Sequence, residues 1–186
     1  VIDSKHAIKE NSAQVCPEVE KNIAINWKVN SSAGVEELFK RADEIVDLTI
    51  QNSRIVTNPM EPRGLVADWN KDTGRYTLYG SSQNIHVMAN YVASMLGVAD
   101  ALVRFIAPDV GGGFGSKNFC YTEYGLIAWM SKRLRRPVKW IASRSEGFLS
   151  DHQGRDHQSE AQLALDEDGK ILALKVTSYA NLGAYM

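Results

Sequence analysis

The strongest constraint on how this 186-residue chain can fold is a glycine-rich stretch, Asp109-Val110-Gly111-Gly112-Gly113-Phe114-Gly115-Ser116-Lys117-Asn118. Glycine loses more backbone freedom on folding than any other residue, so four glycines in five positions disfavour both a helix and a strand. Such a run is expected where the backbone takes a positive φ or approaches another group closely. The sequence therefore predicts a tight turn over residues 111–115, called the glycine loop below.

The segments on either side of the glycine loop have regular patterns. Residues 102–108 are mostly apolar and predict a strand, and residues 121–134 have the spacing of an amphipathic helix. A turn between a strand and a helix start brings free amide groups and the helix dipole together, which favours an anion. The first hypothesis is therefore a site for a phosphate-bearing cofactor.

Two well-known glycine motifs do not match the loop. A dinucleotide-binding fingerprint needs a third glycine where this chain has Ser116, and a P-loop needs glycine directly before the lysine, where Ser116 again intervenes before Lys117. A plain glycine turn that binds no ligand therefore remains open.

Bulk composition excludes several classes of protein. A net charge of -1 gives no basic surface for nucleic acid, and no apolar run approaches the ~20 residues that a membrane span needs. Cys16 and Cys120 form neither a disulfide framework nor a metal-binding pattern, which suits a reducing compartment. We therefore expect a cytoplasmic protein.

Helical and strand patterns alternate along the chain, with several hairpins. They predict an α+β fold in which helices pack on a mixed sheet. The main predicted elements are a strand within residues 19–29, a helix over 35–42, a strand over 44–56, a hairpin of 65–69 with 75–79, a helix over 85–96, a strand over 138–142, and a hairpin of 155–165 with 170–179. A linker is predicted at residues 31–34.

In order and spacing, several segments resemble the molybdenum hydroxylases, the family of xanthine dehydrogenase, aldehyde oxidase and carbon monoxide dehydrogenase large subunits. The similar segments are the glycine loop with Ser116-Lys117, residues 58–63 (Asn-Pro-Met-Glu-Pro-Arg), residues 82–84 (Ser-Gln-Asn), residues 136–140, residues 143–146, residues 168–171 and residues 181–185. The resemblance implies that residues 1–33 are the end of a preceding hammerhead-like domain or a linker. Residues 34–186 would be the first part of a molybdopterin-binding domain, truncated at its C-terminus.

The resemblance also implies roles for individual residues. Gln83 would lie beside the metal centre and hydrogen-bond an oxygen ligand through its neutral amide, which does not compete for protons. The backbone at Gly112, Gly113, Phe114 and Gly115 would face the pterin, where glycine permits close approach. Because the pterin sulfurs bind molybdenum in this family, no metal ligand from the protein is expected.

Two further residues would face the substrate if the resemblance extends that far. Asn118 stands where xanthine-oxidising members have a glutamate, which argues against xanthine as the substrate. Arg155 aligns with an arginine that some members direct at the substrate, where its permanent charge would stabilise a developing oxyanion. The alternative for Arg155 is a surface ion pair with Asp151 or Asp156. His152 and His157 are spaced unsuitably for a shared metal and suggest an exposed loop.

The implied function is one wall of the molybdopterin site in an enzyme that oxidises aldehydes, N-heterocycles or carbon monoxide. Its cofactor would be molybdenum-molybdopterin in the cytosine dinucleotide form, with iron–sulfur clusters and FAD on partner domains or subunits. The family's general-base glutamate has no counterpart in this chain, so the chain without the remainder of the large subunit should be inactive. Two alternatives stay open: a non-catalytic anion- or phosphate-binding module, and a nucleotide-dependent enzyme of another fold.

Overall fold

The computed structural model describes residues 3–29 and 34–183. The helices are α1 (Ser4–Ala7), α2 (Val35–Lys40), α3 (Ile85–Leu96), α4 (Thr122–Leu134) and α5 (Arg144–Ser150). The strands are β1 (Glu44–Asn52), β2 (Ile55–Val56), β3 (Gly64–Trp69), β4 (Tyr76–Gly80), β5 (Val103–Ile106), β6 (Val138–Ile141), β7 (Gln153–Gly154), β8 (His157–Leu165) and β9 (Ile171–Ala180). Short 3-10 turns occupy Glu20–Asn22, Asp100–Leu102 and Ser116–Asn118.

The chain divides into two compact units. The first combines Val1–Ile55 with Arg155–Met186. It contains a three-stranded antiparallel sheet in the order β1-β8-β9, with Glu44 opposite Leu165 at one end of the β1–β8 pairing. The hairpin between β8 and β9 closes through a hydrogen bond from the Gly169 amide to the Asp166 carbonyl (3.0 Å). This hairpin confirms the one predicted from alternation and turn residues.

The second unit, Val56–Gly154, contains the glycine loop. Its four-stranded sheet has the order β5-β4-β3-β6, in which β4 and β5 are parallel and the other pairs are antiparallel. Parallel neighbours need a crossover connection, and α3 provides it between β4 and β5. The mixed sheet with packed helices confirms the predicted α+β class.

The core of the second unit lies between this sheet and helices α3 and α4. Alternate residues of the strands and one face of each helix supply it, as period-2 and period-3.6 patterns require. The buried members are Leu65, Ala67, Tyr76, Leu78, Met88, Val92, Ala93, Val103, Phe105, Tyr121, Tyr124, Ile127 and Ala128. This packing supports the ends of β4 and β5, which carry the candidate site.

Local capping signals fix several boundaries where the sequence predicts them. The Asn84 side chain accepts a hydrogen bond from the Val87 amide (3.2 Å) at the start of α3, and Gly97 ends that helix with φ of 64°. Ser143 and Glu146 form a capping box at the start of α5.

The strand predicted within residues 19–29 is wrong. The segment instead contains the 3-10 turn Glu20–Asn22, and its apolar side chains are exposed, Trp27 by 80%. Alternation shows only that one face of a strand could be buried, and a strand forms only where a partner supplies its hydrogen bonds. The predicted linker and the boundary after residue 33 fall largely on residues 30–33, outside the described residues. No helix in the described part of the chain is long and apolar enough to cross a membrane.

Candidate functional site

Gln83 and the glycine loop contact each other through two hydrogen bonds. The Gln83 amide donates to the carbonyl of Lys117 (3.1 Å), and the Gly115 amide donates to the side-chain Oε1 of Gln83 (2.8 Å). Gln83 follows β4 and the loop follows β5, and because these strands are parallel neighbours, the segments after them meet at one edge of the sheet. Gln83 and the glycine loop, which the resemblance assigned to one cofactor site, therefore lie in contact.

The Gly115 bond also determines how the Gln83 carboxamide is oriented. An N–H group can donate only to the carbonyl oxygen, so Oε1 must face Gly115. The side-chain Nε2, with its two N–H groups, donates to no described residue. Gln83 is exposed, so a ligand at this edge of the sheet could accept from its amide.

Residue 113 is glycine because the Gln83 side chain lies close to its backbone. A Cβ atom there would lie 2.5 Å from Gln83 Oε1 and 2.7 Å from its Cδ and Cγ. These distances are well inside van der Waals contact, so any side chain at residue 113 would displace Gln83. Positive φ occurs instead at Gly112 (98°), Phe114 (51°) and Gly115 (97°).

The glycine loop has amide groups without a partner in the described chain. The amides of Gly112, Gly113 and Phe114 donate no hydrogen bond to a described residue. The Gly115 amide differs, because it donates to Gln83. A short run of unpaired backbone N–H groups is a typical anion-binding arrangement.

The helix that follows the loop begins within one residue of its predicted start, but a further turn precedes it. α4 starts at Thr122, and the 3-10 turn Ser116–Asn118 lies between it and the glycines. The contribution of the helix dipole to anion binding stays a prediction, and the loop amides are the donors that the structure shows. The Tyr121 hydroxyl donates to the Ser116 carbonyl (2.8 Å) and accepts from the His152 amide (3.1 Å), which anchors this turn.

An ion pair that the sequence did not predict lies at the base of the loop. Lys117 Nζ lies 2.7 Å from Glu61 Oε2, and the Lys117 side chain is fully buried. Burial opposes ionisation of Glu61, but the hydrogen bonds from Lys117 and from the Gly111 amide hold its pKa below the ordinary value. The sequence offers little signal for this pair, because its members are 56 positions apart.

A second buried charge lies where the crossing segment (residues 58–63) meets β3. The Arg63 guanidinium is 1% exposed and donates to Asp151 (2.5 Å) and Glu123 (3.3 Å) while stacking 3.7 Å from the Tyr121 ring centre. Burial lowers the pKa of Arg63, but hydrogen bonds to the two carboxylates more than compensate and raise it. Arg63 thus links the crossing segment to the start of α4, through Glu123, and to the end of α5, through Asp151.

Arg144 fixes the other half of the crossing segment. Its guanidinium donates to the Asn58 side chain (2.5 Å) and to the carbonyls of Pro59 and Met60 (2.7 Å each). These bonds order the backbone just before Glu61.

The remaining predicted site residues have no contact with Gln83 that the structure shows. Asn118 is exposed in the 3-10 turn, and its amide donates to the Gly115 carbonyl (3.1 Å). Arg155 is exposed and belongs to the first unit. Among the described residues no ion pair of Arg155 is found, and its suggested surface partners pair with other arginines, Asp151 with Arg63 and Asp156 with Arg54 (3.1 Å).

His152 and His157 belong to no group of described side chains that could bind a metal ion. The His152 ring packs 4.5 Å from the Phe119 ring, centre to centre. Residues 3–29 and 34–183 contain no group of three or more histidine, cysteine, aspartate or glutamate side chains placed to bind a metal ion.

Comparison with known proteins relates this geometry to a family. The model of the molybdopterin cofactor-binding domain matches residues 15–186. The carbon monoxide dehydrogenase large chain of Hydrogenophaga pseudoflava is 34% identical over 169 residues, which cover 91% of this chain and 21% of that protein. The nicotine 6-hydroxylase large subunit of Paenarthrobacter nicotinovorans is 31% identical over 164 residues, which cover 88% of this chain and 20% of that protein.

Solved structures agree with the sequence comparisons. A crystal structure of a copper- and molybdenum-containing carbon monoxide dehydrogenase, in its carbon monoxide reduced state, matches with a TM-score of 0.85 and 28% identity. That match covers 95% of this chain and 24% of the other. The chain thus spans about a fifth of the length of its relatives. With the family model matching all but its first 14 residues, the chain belongs to the molybdopterin cofactor-binding domain family of the molybdenum hydroxylases.

Proposed function

We propose that this chain forms one wall of the molybdopterin site in a molybdenum-dependent hydroxylase or dehydrogenase. The observation that supports this most is the contact of Gln83 with Gly113 and Gly115, beside amides that have no described partner. A side-chain donor and several backbone donors thereby lie at one edge of the sheet. Such a set suits a ligand that is rich in oxygen and negative charge.

The residues present fit that cofactor. The absence of a side chain at Gly113 admits the Gln83 side chain, so its amide lies beside the loop N–H groups that would face the pterin. Gln83, Gly112, Gly113 and Phe114 would bind the group, and Gly115 would hold the Gln83 side chain in place. No cluster of protein metal ligands is needed, because the pterin sulfurs supply them.

When bound, the molybdenum–pterin group would accept two electrons from the substrate carbon. Gln83 Nε2 would donate a hydrogen bond to an oxygen of the bound group. Because a carboxamide does not titrate near neutral pH, Gln83 would polarise that oxygen without removing a proton.

The general base of the reaction is proposed to come from another part of the large subunit. The glutamates closest in sequence to the site segments are each engaged: Glu61 with Lys117, Glu123 with Arg63, and Glu146 with the Ser143 amide. A base must also lie about 3 Å from the proton that it removes. The chain alone should therefore give no turnover.

We propose carbon monoxide, an aldehyde or an N-heterocycle as the substrate. Relatives named for carbon monoxide and for nicotine support the first and last of these. Asn118, proposed to face the substrate, would offer an amide in place of a carboxylate, which disfavours a purine such as xanthine. Arg155 would stabilise negative charge on the substrate if the assembled enzyme brings it to the site.

We propose that the cofactor is the cytosine dinucleotide form. Iron–sulfur clusters and flavin would lie on partner domains or subunits. Both relatives are named as a large chain or a large subunit, which supports partner subunits for the protein that contains this chain. The domain boundary after residue 33 also stays a prediction.

The experiment that tests this function uses the purified full-length protein with its natural partners. Molybdenum, iron and flavin are quantified, the pterin is identified by fluorescence after oxidation, and the nucleotide is released by hydrolysis. Oxidation of each substrate class is then assayed with an artificial electron acceptor. About one molybdenum and one pterin per chain supports the proposal. Binding of inorganic phosphate without pterin would instead identify an anion-binding module that uses the same loop amides.

A further inference from the structure

We infer that Glu61 and Lys117 are positioning residues that fix both ends of the glycine loop and thereby keep Gln83 in place. The effect of this pair on cofactor binding rests on the proposed function, whereas its effect on the loop does not. Neither residue is proposed to touch substrate or cofactor.

A single carboxylate oxygen connects the two ends of the loop. Glu61 Oε2 accepts from the Gly111 amide (2.8 Å), where the loop begins, and from Lys117 Nζ (2.7 Å), two residues past its last glycine. The Glu61 amide donates in return to the Gly111 carbonyl (3.2 Å). The loop is thus bound at its start by two groups of Glu61, its carboxylate and its backbone amide, and at its end by the same carboxylate.

Gly111 admits Glu61 in the same way that Gly113 admits Gln83. A Cβ at residue 111 would lie 2.6 Å from the Glu61 Cβ, and one at residue 113 would lie 2.5 Å from Gln83 Oε1. Two side chains from different segments therefore reach the loop at alternate glycines. This gives Gly111 a function distinct from backbone flexibility.

Because the Lys117 side chain is buried, the folded state needs Glu61 as its ion-pair partner. The Lys117 side chain is fully buried, whereas the Glu61 side chain is 39% exposed. A buried ammonium is unfavourable without a partner, so loss of Glu61 would force Lys117 to move toward water. The Lys117 carbonyl accepts from the Gln83 amide (3.1 Å), so such a movement would be transmitted directly to Gln83.

The pair could instead only stabilise the fold, and variants can separate the two roles. Removing one partner of a buried ion pair is strongly destabilising, but replacing both partners by apolar side chains is often neutral. Lys117→Met therefore tests loss of the pair, and the double variant Glu61→Met with Lys117→Met tests loss of positioning without a buried unpaired charge. Glu61→Gln retains an acceptor for Gly111 while removing the charge beside Lys117.

The experiment measures amide hydrogen exchange at Gly111 in the full-length protein, purified without cofactor and with it, together with urea unfolding and molybdenum content. We expect Gly111 exchange to accelerate by about tenfold to a hundredfold in the double variant, which loses the carboxylate that accepts from the Gly111 amide. Lys117→Met should accelerate it less, because Glu61 keeps that bond but loses the cation that orients its carboxylate. Glu61→Gln should give a smaller acceleration. The double variant should regain the unfolding midpoint of the natural protein but not its molybdenum content.

Arg54→Met is the matched control, because it removes the ion pair of Arg54 with Asp156 in the first unit. It should leave Gly111 exchange unchanged. Natural exchange at Gly111 in the double variant, or full molybdenum content there, would overturn the positioning role. If the natural protein binds no molybdopterin, the proposed function fails, but exchange at Gly111 in the cofactor-free protein still decides whether Glu61 and Lys117 position the loop.

Discussion

The backbone amide of Gly115 donates a 2.8 Å hydrogen bond to the side-chain oxygen of Gln83, across 32 positions of sequence. The carboxamide oxygen accepts this bond and therefore faces the loop. The Gln83 N–H groups remain available as donors to a ligand. Gly113 permits the contact because it has no side chain. The relationship therefore gives one residue two separable properties, an acceptor that anchors it and a donor that can bind a ligand.

Gln83→Glu should separate these two properties. The carboxylate keeps the shape and still accepts from Gly115, but it lacks the Nε2 donor. We expect turnover per bound molybdenum to fall by about 100-fold, since loss of one preorganised donor to a reacting group typically has this effect. Gln51→Glu, an exposed glutamine on β1, is the matched control and should retain full turnover. Equal turnover in the two variants would exclude Gln83 from the site.

Gly113→Ala should reduce molybdenum content without preventing folding. Gly113 does not have a positive φ, so alanine adds no backbone strain, but its Cβ would lie 2.5 Å from Gln83 Oε1 and displace that exposed side chain. Gly154→Ala is the control, because its Cβ would meet nothing within 4 Å and its φ is not positive either. Metal analysis of both purified full-length variants is the measurement. Full loading of Gly113→Ala would favour a plain glycine turn.

Arg63→Met should be strongly destabilising. The change leaves the Asp151 side chain, which is 7% exposed, without its cationic partner, and such losses cost about 3–5 kcal/mol of the free energy of unfolding. Arg104→Met changes an exposed arginine on β5, and we expect a change within about 0.5 kcal/mol. Urea denaturation of the two variants measures the difference. If the Arg63→Met and Arg104→Met variants are equally stable, water must solvate the Asp151 carboxylate in place of Arg63.

Cys120 should react slowly with alkylating reagents at neutral pH. Burial raises the pKa of its thiol to about 11, so roughly one thiol in a thousand is ionised at pH 8, and the thiolate is the reactive form. The rate of modification, followed by mass spectrometry, should keep rising with pH up to about 11. Because the raised pKa belongs to the folded state, the thiol's contribution to stability is present below its ordinary pKa of 9.0 and is lost as pH rises toward 11. Rapid modification of folded protein at pH 8 would contradict the burial of Cys120, and urea-unfolded protein provides the fast reference.

Local signals were sufficient for much of the fold. The Asn84 cap and Gly97 set the ends of α3, Ser143 with Glu146 set the start of α5, and turn residues set both hairpins. Each of these features depends on groups a few residues apart, whose geometry the backbone fixes directly. The family resemblance also assigned Gln83 and the glycine loop to one site, where the structure shows them in contact.

Long-range partners could not be predicted in this way. Alternation at residues 19–29 suggested a strand, but no strand within residues 3–29 and 34–183 pairs with this segment, and Trp27 is exposed. The start of α4 was predicted within one residue, but the 3-10 turn that separates it from the loop was not.

The sequence by itself determined the turns, the helix caps and the strands of the two hairpins, because those choices depend on backbone conformation and on neighbours in the chain. Only the tertiary structure decided that Lys117 is buried and that Glu61 is its partner. A lysine near glycines is ordinarily solvated, and its burial becomes favourable only when packing brings a carboxylate within hydrogen-bond distance. That distance is set by how β3, β4 and β5 pair in one sheet, which no local sequence signal specifies.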